Sequence, residues 1–292
     1  MLASGPGGAL PVNRKSNQEG WVMSSPVWFV NLVKRTFPQR FVLARLTKVP
    51  VVGGFLDRWL FGGDDIVYLP KDRVVSIGTE VAGGENVVLP SRVVEYFVEK
   101  ANYHWIMNTC ICREATGCRD YPVDLGCLFL GEAAMGINPR LGRRVDKEEA
   151  LEHVRRCREA GLFQLIGRNK LDTVWLNVRP GSRLLTICFC CPCCCLWRMI
   201  PVLSGEISSK VHRMPGVEVR VTERCEGCET CAKSCFVQAI RMEEGRAVIG
   251  GECRGCGHCV EVCPHGAIEL TLADTTFMES LVPRISGLVD VT

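Results

Sequence analysis

Nineteen cysteines in 292 residues carry the chemistry of this chain, and eight of them near the C-terminus fall into two copies of one spacing. Cys225, Cys228, Cys231 and Cys235 follow C-x2-C-x2-C-x3-C, and Cys253, Cys256, Cys259 and Cys263 repeat it 28 positions later, closing with Pro264. A cubane needs four thiolates at roughly tetrahedral corners. A tight loop with a cysteine at every third position wraps three of its irons, and the fourth corner has to come from elsewhere. Two [4Fe-4S] clusters are therefore the expected cargo. Two other chemistries use the same residue types. Paired C-x2-C motifs bind zinc, but a zinc site closes on four ligands and does not call for the further cysteines of each run. Cys256-Gly257-His258-Cys259 has the C-x-x-C form of a thiol–disulfide exchange site, here set inside the repeat.

The two runs are halves of an internal repeat. Ala239-Ile240 and Ala267-Ile268 stand at equal distances from their fourth cysteines, Arg241-Met242 matches Glu269-Leu270, and a short strand is expected after each loop. On these residues the chain resembles a bacterial two-cluster ferredoxin over about residues 217–272. The resemblance implies that the last cysteine of each run crosses over. Cys225, Cys228, Cys231 and Cys263 would hold one cluster, and Cys253, Cys256, Cys259 and Cys235 the other. Phe236 departs from the pattern, which usually has proline after the fourth cysteine, and bears on the turn geometry beside Cys235.

A second field of ten thiols lies upstream: Cys110-x-Cys112-x5-Cys118-x8-Cys127, then Cys188-x-Cys190-Cys191-x-Cys193-Cys194-Cys195. Thiolates are metal ligands and idle thiols are oxidation liabilities, so this density points to metal. If the second run continues a strand from Leu184, Cys188 and Cys190 point one way and Cys191 the other, and the chain must turn beyond Pro192. Cys110-Ile111-Cys112-Arg113, Gly126-Cys127-Leu128 and the Cys188–Cys195 run resemble a group of anaerobe iron-sulfur proteins, in which C-x-C-R and C-x-C-C-x-C-C-C segments precede a two-cluster ferredoxin domain. That resemblance covers about residues 90–272 and implies iron-sulfur binding and electron handling without naming a substrate. One additional iron-sulfur cluster is expected, with Cys110, Cys112, Cys118 and Cys127 as leading ligands and part of Cys188, Cys190, Cys191, Cys193, Cys194 and Cys195 completing or flanking it. A zinc or copper thiolate site in the Cys188–Cys195 run is the alternative, and a redox-active disulfide pair a third reading. Arg113 is placed as a solvated residue beside a turn, with donation to a cluster sulfide as its functional counterpart. His104, His153, His212, His258 and His265 show no i, i+4 pairing and read as structural or solvent-facing.

The elements that must position these thiols are legible in part. Residues 1–24, glycine- and proline-rich, read as a disordered leader without the apolar core of a signal peptide. Residues 25–89 form a basic, aromatic segment with Trp28, Phe29, Leu32 and Val33 at helical spacing, for which inward packing is favoured over contact with an acidic membrane surface or a redox partner through residues 26–60. Lys34, Arg35, Arg40, Arg45 and Lys48 interrupt it too often for a membrane span. The pairs Gly53-Gly54, Gly62-Gly63 and Gly83-Gly84 mark turns, and no dinucleotide fingerprint or P-loop is present. Residues 90–212 form the cysteine-rich domain. A helix is expected over Arg92–Met107, and a capping box at Asp146 to Glu149 opens another that ends at Gly161 and buries Cys157 as a structural thiol. Val174–Val178 and Leu184–Phe189 read as a hairpin, so that helix and hairpin sketch a winged-helix unit. In the tail, residues 273–292, apolar side chains recur at near-helical intervals and are expected to pack on the core. The fold class is α+β: a cysteine-rich helix-and-hairpin domain followed by a ferredoxin-like module.

Charge and composition narrow the functions. The formal +3 becomes about −1 with two clusters and about −3 with a third, because each oxidised cluster with its thiolates contributes about two negative charges. Residues 1–60 keep a net +6, from eight Lys+Arg against two Asp+Glu. Nineteen cysteines with no export signal imply a reducing compartment, and an anaerobic cytoplasm is the expected setting. The leading function is an electron carrier or electron-transfer subunit working with a redox partner protein. An oxidoreductase with a substrate-binding metal centre upstream is the alternative, and a redox-sensing regulator stands last. Nucleic-acid binding is disfavoured because Arg155, Arg156 and Arg158 are interleaved with Glu148, Glu149, Glu152 and Glu159.

Overall fold

The computed structural model describes residues 24–77, 89–273 and 276–292. The leader, except Ser24, and the Gly83-Gly84 turn lie outside the described residues. The architecture is mixed α/β, organised on a seven-stranded sheet. Its strands are β1 (Asp65–Leu69), β3 (His104–Met107), β4 (Leu128–Leu130), β5 (Gly142–Val145), β6 (Phe163–Arg168), β7 (Leu185–Cys190) and β8 (Val211–Arg213), in the order β5-β3-β4-β7-β6-β1-β8. β1 and β8 run parallel and the other pairs antiparallel.

Both faces of this sheet are covered, which explains strands that read as nearly continuous apolar runs. Alternation sends Val67, Leu69, Leu185, Ile187 and Phe189 to one face. There they meet helices α4 (Ser91–Lys100), α6 (Lys147–Glu159) and α11 (Phe277–Ser286). Ile66, Tyr68, Phe163, Leu165 and Cys190 face the opposite core, shared with Trp197, Met199 and Phe236. Helix α6 forms as its capping signature predicts. Asp146 accepts a hydrogen bond from the Glu149 backbone N–H at 2.8 Å, an interaction worth about 1 kcal/mol, and Ala150, Val154 and Cys157 are buried on one stripe. The tail packs on the core, burying Phe277, Leu281 and Ile285.

Three local expectations are corrected. The helix expected over Arg92–Met107 ends at Lys100, and His104–Met107 is a fully buried strand. A turn at Ala101 to Tyr103 separates them, so Trp105 leaves the helical face and packs with Phe129 and Ala133. Val174–Val178 is not a strand: Lys170–Leu176 is helix α7, closed by Asn177 in the left-handed region. The partners of Leu185–Cys190 are Phe163–Arg168 and Leu128–Leu130, so there is no hairpin at Arg179 to Ser182 and no winged-helix unit. The capping role of Asn177 outweighs the β-branched residues before it. Finally, the N-terminal helices α1 (Val27–Thr36), α2 (Arg40–Leu46) and α3 (Val52–Leu56) turn only part of their apolar faces inward, Ala44 and Leu56 being buried. Val30 is the buried residue of α1, while Trp28 is 68% and Leu32 48% exposed.

The C-terminal module is tied into this frame. β9 (Val217–Val221) and β12 (Ile268–Leu272) are antiparallel, and β2 (Val75–Ile77) from the N-terminal half adds to β12 in parallel. A hairpin of β10 (Ile240–Glu243) and β11 (Arg246–Ile249) completes the module. β10 and β12 are the strands expected after the two cysteine loops. No helix among the described residues is long and apolar enough to cross a membrane.

Candidate metal centres

The duplicated loops repeat the same local conformations at equivalent positions. Each begins with a cysteine and holds a left-handed glycine two residues later, Gly227 (φ +73°) and Gly255 (φ +63°). A second left-handed residue follows two further on, Glu229 or Gly257, and then a one-turn helix, α9 (Thr230–Ser234) or α10 (His258–Val262). A Cβ at Gly227 would lie 2.2 Å from the Gly245 carbonyl oxygen, so the loop can close there only on glycine. Three residues past each fourth cysteine stand Gln238 (φ +53°) and Gly266 (φ +55°). These turns aim the next backbone N–H at sulfur: Ala239 donates to Cys235 Sγ and Ala267 to Cys263 Sγ, both at 3.3 Å. The repeated alanines of the sequence are thus the repeated amide donors. Ala247 N–H donates to Cys225 Sγ at 3.5 Å and Gly255 N–H to Cys253 Sγ at 3.4 Å.

Cys225, Cys228, Cys231 and Cys263 line one small cavity together with Met242, Ala247, Ala267 and Ile268. In the other half, Cys256 and Cys259 are held well above the ordinary thiol range, first by burial and then by the charges of Cys253 and Cys235 among others. A donor set of four thiols, backbone amides directed at sulfur and an apolar lining suits a [4Fe-4S] cluster in each half. When bound, such clusters supply one-electron exchange.

The upstream thiols divide. Register explains half of the division: Leu128 pairs with Ile187 across β4 and β7, which brings Cys127 beside Cys188, their sulfurs 3.5 Å apart. Cys188 and Cys190 share the β7 face with Cys195, and Cys191 is on the other, as strand alternation requires. Cys110, just before α5 (Ile111–Thr116), and Cys112 join the Cys127, Cys188, Cys190 and Cys195 group. Cys118 does not join it. Cys118 gathers instead with Cys191, Cys193 and Cys194, so the sequence-expected quartet of Cys110, Cys112, Cys118 and Cys127 is not brought together as one set.

Within the six-thiol group protons are shared unequally. Cys188 is held well below the ordinary thiol range by hydrogen bonds from Cys127 and Cys190, and Cys110 is drawn down to about 7, first by its hydrogen bond with Cys112 and then by Arg113. Cys112, Cys127 and Cys190 are correspondingly pushed up.

Arg113, expected in solvent, is buried at 1% exposure and is the most deeply buried cation beside these thiols, with Arg40 also near Cys112 and Cys195. Its Nη1 donates to the Phe189 carbonyl at 2.7 Å and its Nη2 to Leu125 O, while Nε has no partner. Cys110, Cys190, Cys191 and Cys127 raise its pKa against the burial that would lower it. A buried guanidinium with an idle donor fits an anionic metal–thiolate group better than a neutral core. The only sequence signal was Arg113's place directly after Cys112.

The two cores of sulfur chemistry meet at aromatic side chains. Phe236, the departure from the ferredoxin pattern, is buried and stacks on Phe163 at 5.2 Å between centroids and 12° between planes. It also lies 5.9 Å from Tyr68, whose hydroxyl is 3.7 Å from Cys195 Sγ. The Tyr68 phenol is pushed well up, first by burial and then by Cys195 and Cys190, with Cys256 of the C-terminal module also contributing. One contiguous apolar cluster therefore holds Cys190 and Cys195, with Cys188, Cys235, Cys253 and Cys256 packed against it.

Comparison with known proteins places the C-terminal module. Residues 224–268 match the 4Fe-4S dicluster domain family. The chain is similar to a component of the ion-translocating oxidoreductase complex of Methanosarcina acetivorans, with 51% identity over 47 residues, 16% of this chain and 18% of that protein. It is also similar to the electron transport protein HydN of Escherichia coli K12, 35% identical over 66 residues, 22% of this chain and 38% of that one. A component of the tetrathionate reductase of Archaeoglobus fulgidus is 36% identical over 84 residues, 27% of this chain and 40% of the relative. The matches span less than half the length of these curated relatives. No solved structure matches. The match to a 4Fe-4S dicluster domain and the cysteines of the chain support iron-sulfur clusters as its cofactors.

Proposed function

We propose that the chain is an electron-transfer protein that passes low-potential electrons between its dicluster module, an additional upstream iron-sulfur cluster and a redox partner protein. Cys225, Cys228, Cys231 and Cys263 hold one module cluster and Cys253, Cys256, Cys259 and Cys235 the other. Cys110, Cys112 and Cys127 with Cys188, Cys190 and Cys195 hold the upstream one. The observation that carries this reading is the shared core in which Tyr68, Phe163 and Phe236 fill the space between Cys235 and Cys195. Close packing of the two thiol fields across a buried aromatic layer suits electron exchange. Burial of Cys110, Cys190 and Cys195 favours a carrier over a substrate-binding centre. The similarity to components of oxidoreductase complexes and to an electron transport protein supports the same reading.

The test is an anaerobic count of iron and sulfide with a reductive titration followed by EPR. About twelve irons per chain are expected, and about eight would remove the upstream cluster.

We further propose that residues 26–60 rest on an acidic membrane surface. Trp28, Leu32, Val42, Leu43, Leu46, Val49, Val51, Val52, Phe55 and Trp59 are the exposed large apolar side chains. Arg35, Arg45, Lys48 and Arg58 are exposed beside them, and the single acid, Asp57, is buried and paired with Lys210 at 2.5 Å. Exposed aromatic and basic side chains within one segment are the composition of an interfacial anchor. Sedimentation with phosphatidylglycerol vesicles should capture the wild type and lose the Trp28→Ala/Trp59→Ala double variant by at least tenfold in affinity; equal binding of both would refute the contact.

A further inference from the structure

Four upstream thiols form a unit of different size from every other cysteine set. The sulfurs of Cys118, Cys191, Cys193 and Cys194 all lie within 4.8 Å of one another. Cys193 Sγ is at the centre, 3.3 Å from Cys191 and 3.6 Å from both Cys118 and Cys194. Four thiolates about 2.3 Å from one tetrahedral ion stand about 3.8 Å from each other. A cubane gives each thiolate a separate iron and spreads the four sulfurs across its whole core. Among the described residues no other group of three or more cysteine, histidine or carboxylate ligands closes this tightly, the dicluster loops included.

The surroundings suit a structural ion. The donor set is all sulfur, and four thiolates suffice to close a tetrahedral ion without an open position. Cys191 and Cys194 are buried in the core shared with α4, α6 and α11, on the face of β7 opposite Cys188 and Cys190. Cys118 comes from a segment, residues 117–127, that forms no helix or strand, whereas the other three come from the turn that ends β7. An ion here would tie an irregular loop to the end of the central strand β7 across some 73 residues of sequence.

We propose that Cys118, Cys191, Cys193 and Cys194 hold a single zinc ion, separate from the iron-sulfur clusters and structural in role. Zinc exchanges no electrons, so this site fixes the loop and takes no part in electron transfer; the inference does not rest on that reading. Loading releases the thiol protons and leaves a tetrathiolate with two net negative charges.

The full chain, purified anaerobically from cells grown with both iron and zinc, is assayed by elemental analysis and zinc-edge X-ray absorption. The expected result is one zinc per chain with four sulfur neighbours at about 2.3 Å. Cys118→Ser and Cys193→Ser should each lose the zinc while keeping the iron content and visible absorption of the wild type. Should either variant fail to accumulate, the wild-type absorption spectrum still decides. Absence of zinc, nitrogen or oxygen neighbours at the zinc, a lone ferric iron in its place, or loss of about four irons in Cys118→Ser would each overturn the site. A failed redox titration would refute the electron-transfer reading and leave the zinc count untouched.

Discussion

The dicluster module and the upstream thiol field use the same ligand atom and assemble it by opposite means. In the module each loop carries its own geometry: left-handed turns at Gly227 and Gly255, one-turn helices bearing Cys231 and Cys259, and amides from Ala239 and Ala267 directed at sulfur. In the proposed ligand sets only the fourth ligand is exchanged between the halves. Upstream no loop is sufficient. Cys127 meets Cys188 because of a β-sheet register, and Cys118 meets Cys193 across 75 residues. The module reads as a unit that brings its site with it, and the field as a site that exists only after the large sheet has formed. Loss of a module ligand should therefore be local, and disturbance of the upstream core should act on metal and fold together.

The largest effect expected is from Cys263→Ala. If the crossed ligand set holds, it removes about four irons, those bound with Cys225, Cys228 and Cys231, and leaves the EPR signal of the Cys253 half. Loss of the other half instead would reverse the assignment.

Arg113→Met tests the upstream side. It leaves shared thiolates without their buried cation and should cost about 3 kcal/mol, together with the upstream iron, while the module signals persist. Unchanged iron in a folded variant would show that the guanidinium is only a packing element.

Phe236→Ala probes the seam between the two regions. Truncating a buried aromatic ring costs about 3 kcal/mol, and thermal unfolding should split into two transitions as the module uncouples from β1 and β6. One cooperative transition at the wild-type temperature would contradict this.

The smallest effect belongs to Asp64, whose carboxyl is pushed up to about 7, chiefly by burial; its Oδ2 has no hydrogen-bond partner. Because the folded value lies above the unfolded one, the folded state holds the proton more tightly. The stability it contributes is complete below about pH 4 and is lost as pH rises through 7. Asp64→Asn should flatten the stability profile between pH 5 and 8 and gain on the order of 1 kcal/mol at pH 8. A variant whose profile still falls over that range would place the titration elsewhere.

Parts of the frame were legible because their signals are local. The Asp146 cap, the apolar stripe of α6 and the alternation of Cys188, Cys190 and Cys191 depend on neighbours within one or two turns or one pleat, and all three are found. The failures have an equally physical origin. Trp105 continues the helical spacing of Val94, Phe97 and Ala101, but a turn at Asn102 and pairing with Phe129 draw it into a strand. Val174 is β-prone, yet Asp172 accepts hydrogen bonds from Trp175, Asn169 and Thr186 and anchors a helix there. Arg113 looked like a surface residue because nothing near it in sequence reveals that Phe189 and Leu125 carbonyls await it.

Read alone, the sequence determined that residues 225–263 form duplicated cluster-binding loops, because cysteines two and three residues apart in a glycine-bearing turn leave their sulfurs few other arrangements. Tertiary structure decided how ten further thiols divide into groups of six and four, what buried place phenylalanine fills at 236, and which apolar side chains between residues 28 and 59 look outward. Those outcomes depend on strand register and on which surfaces find partners, and both are set by segments far apart in the chain meeting across one sheet.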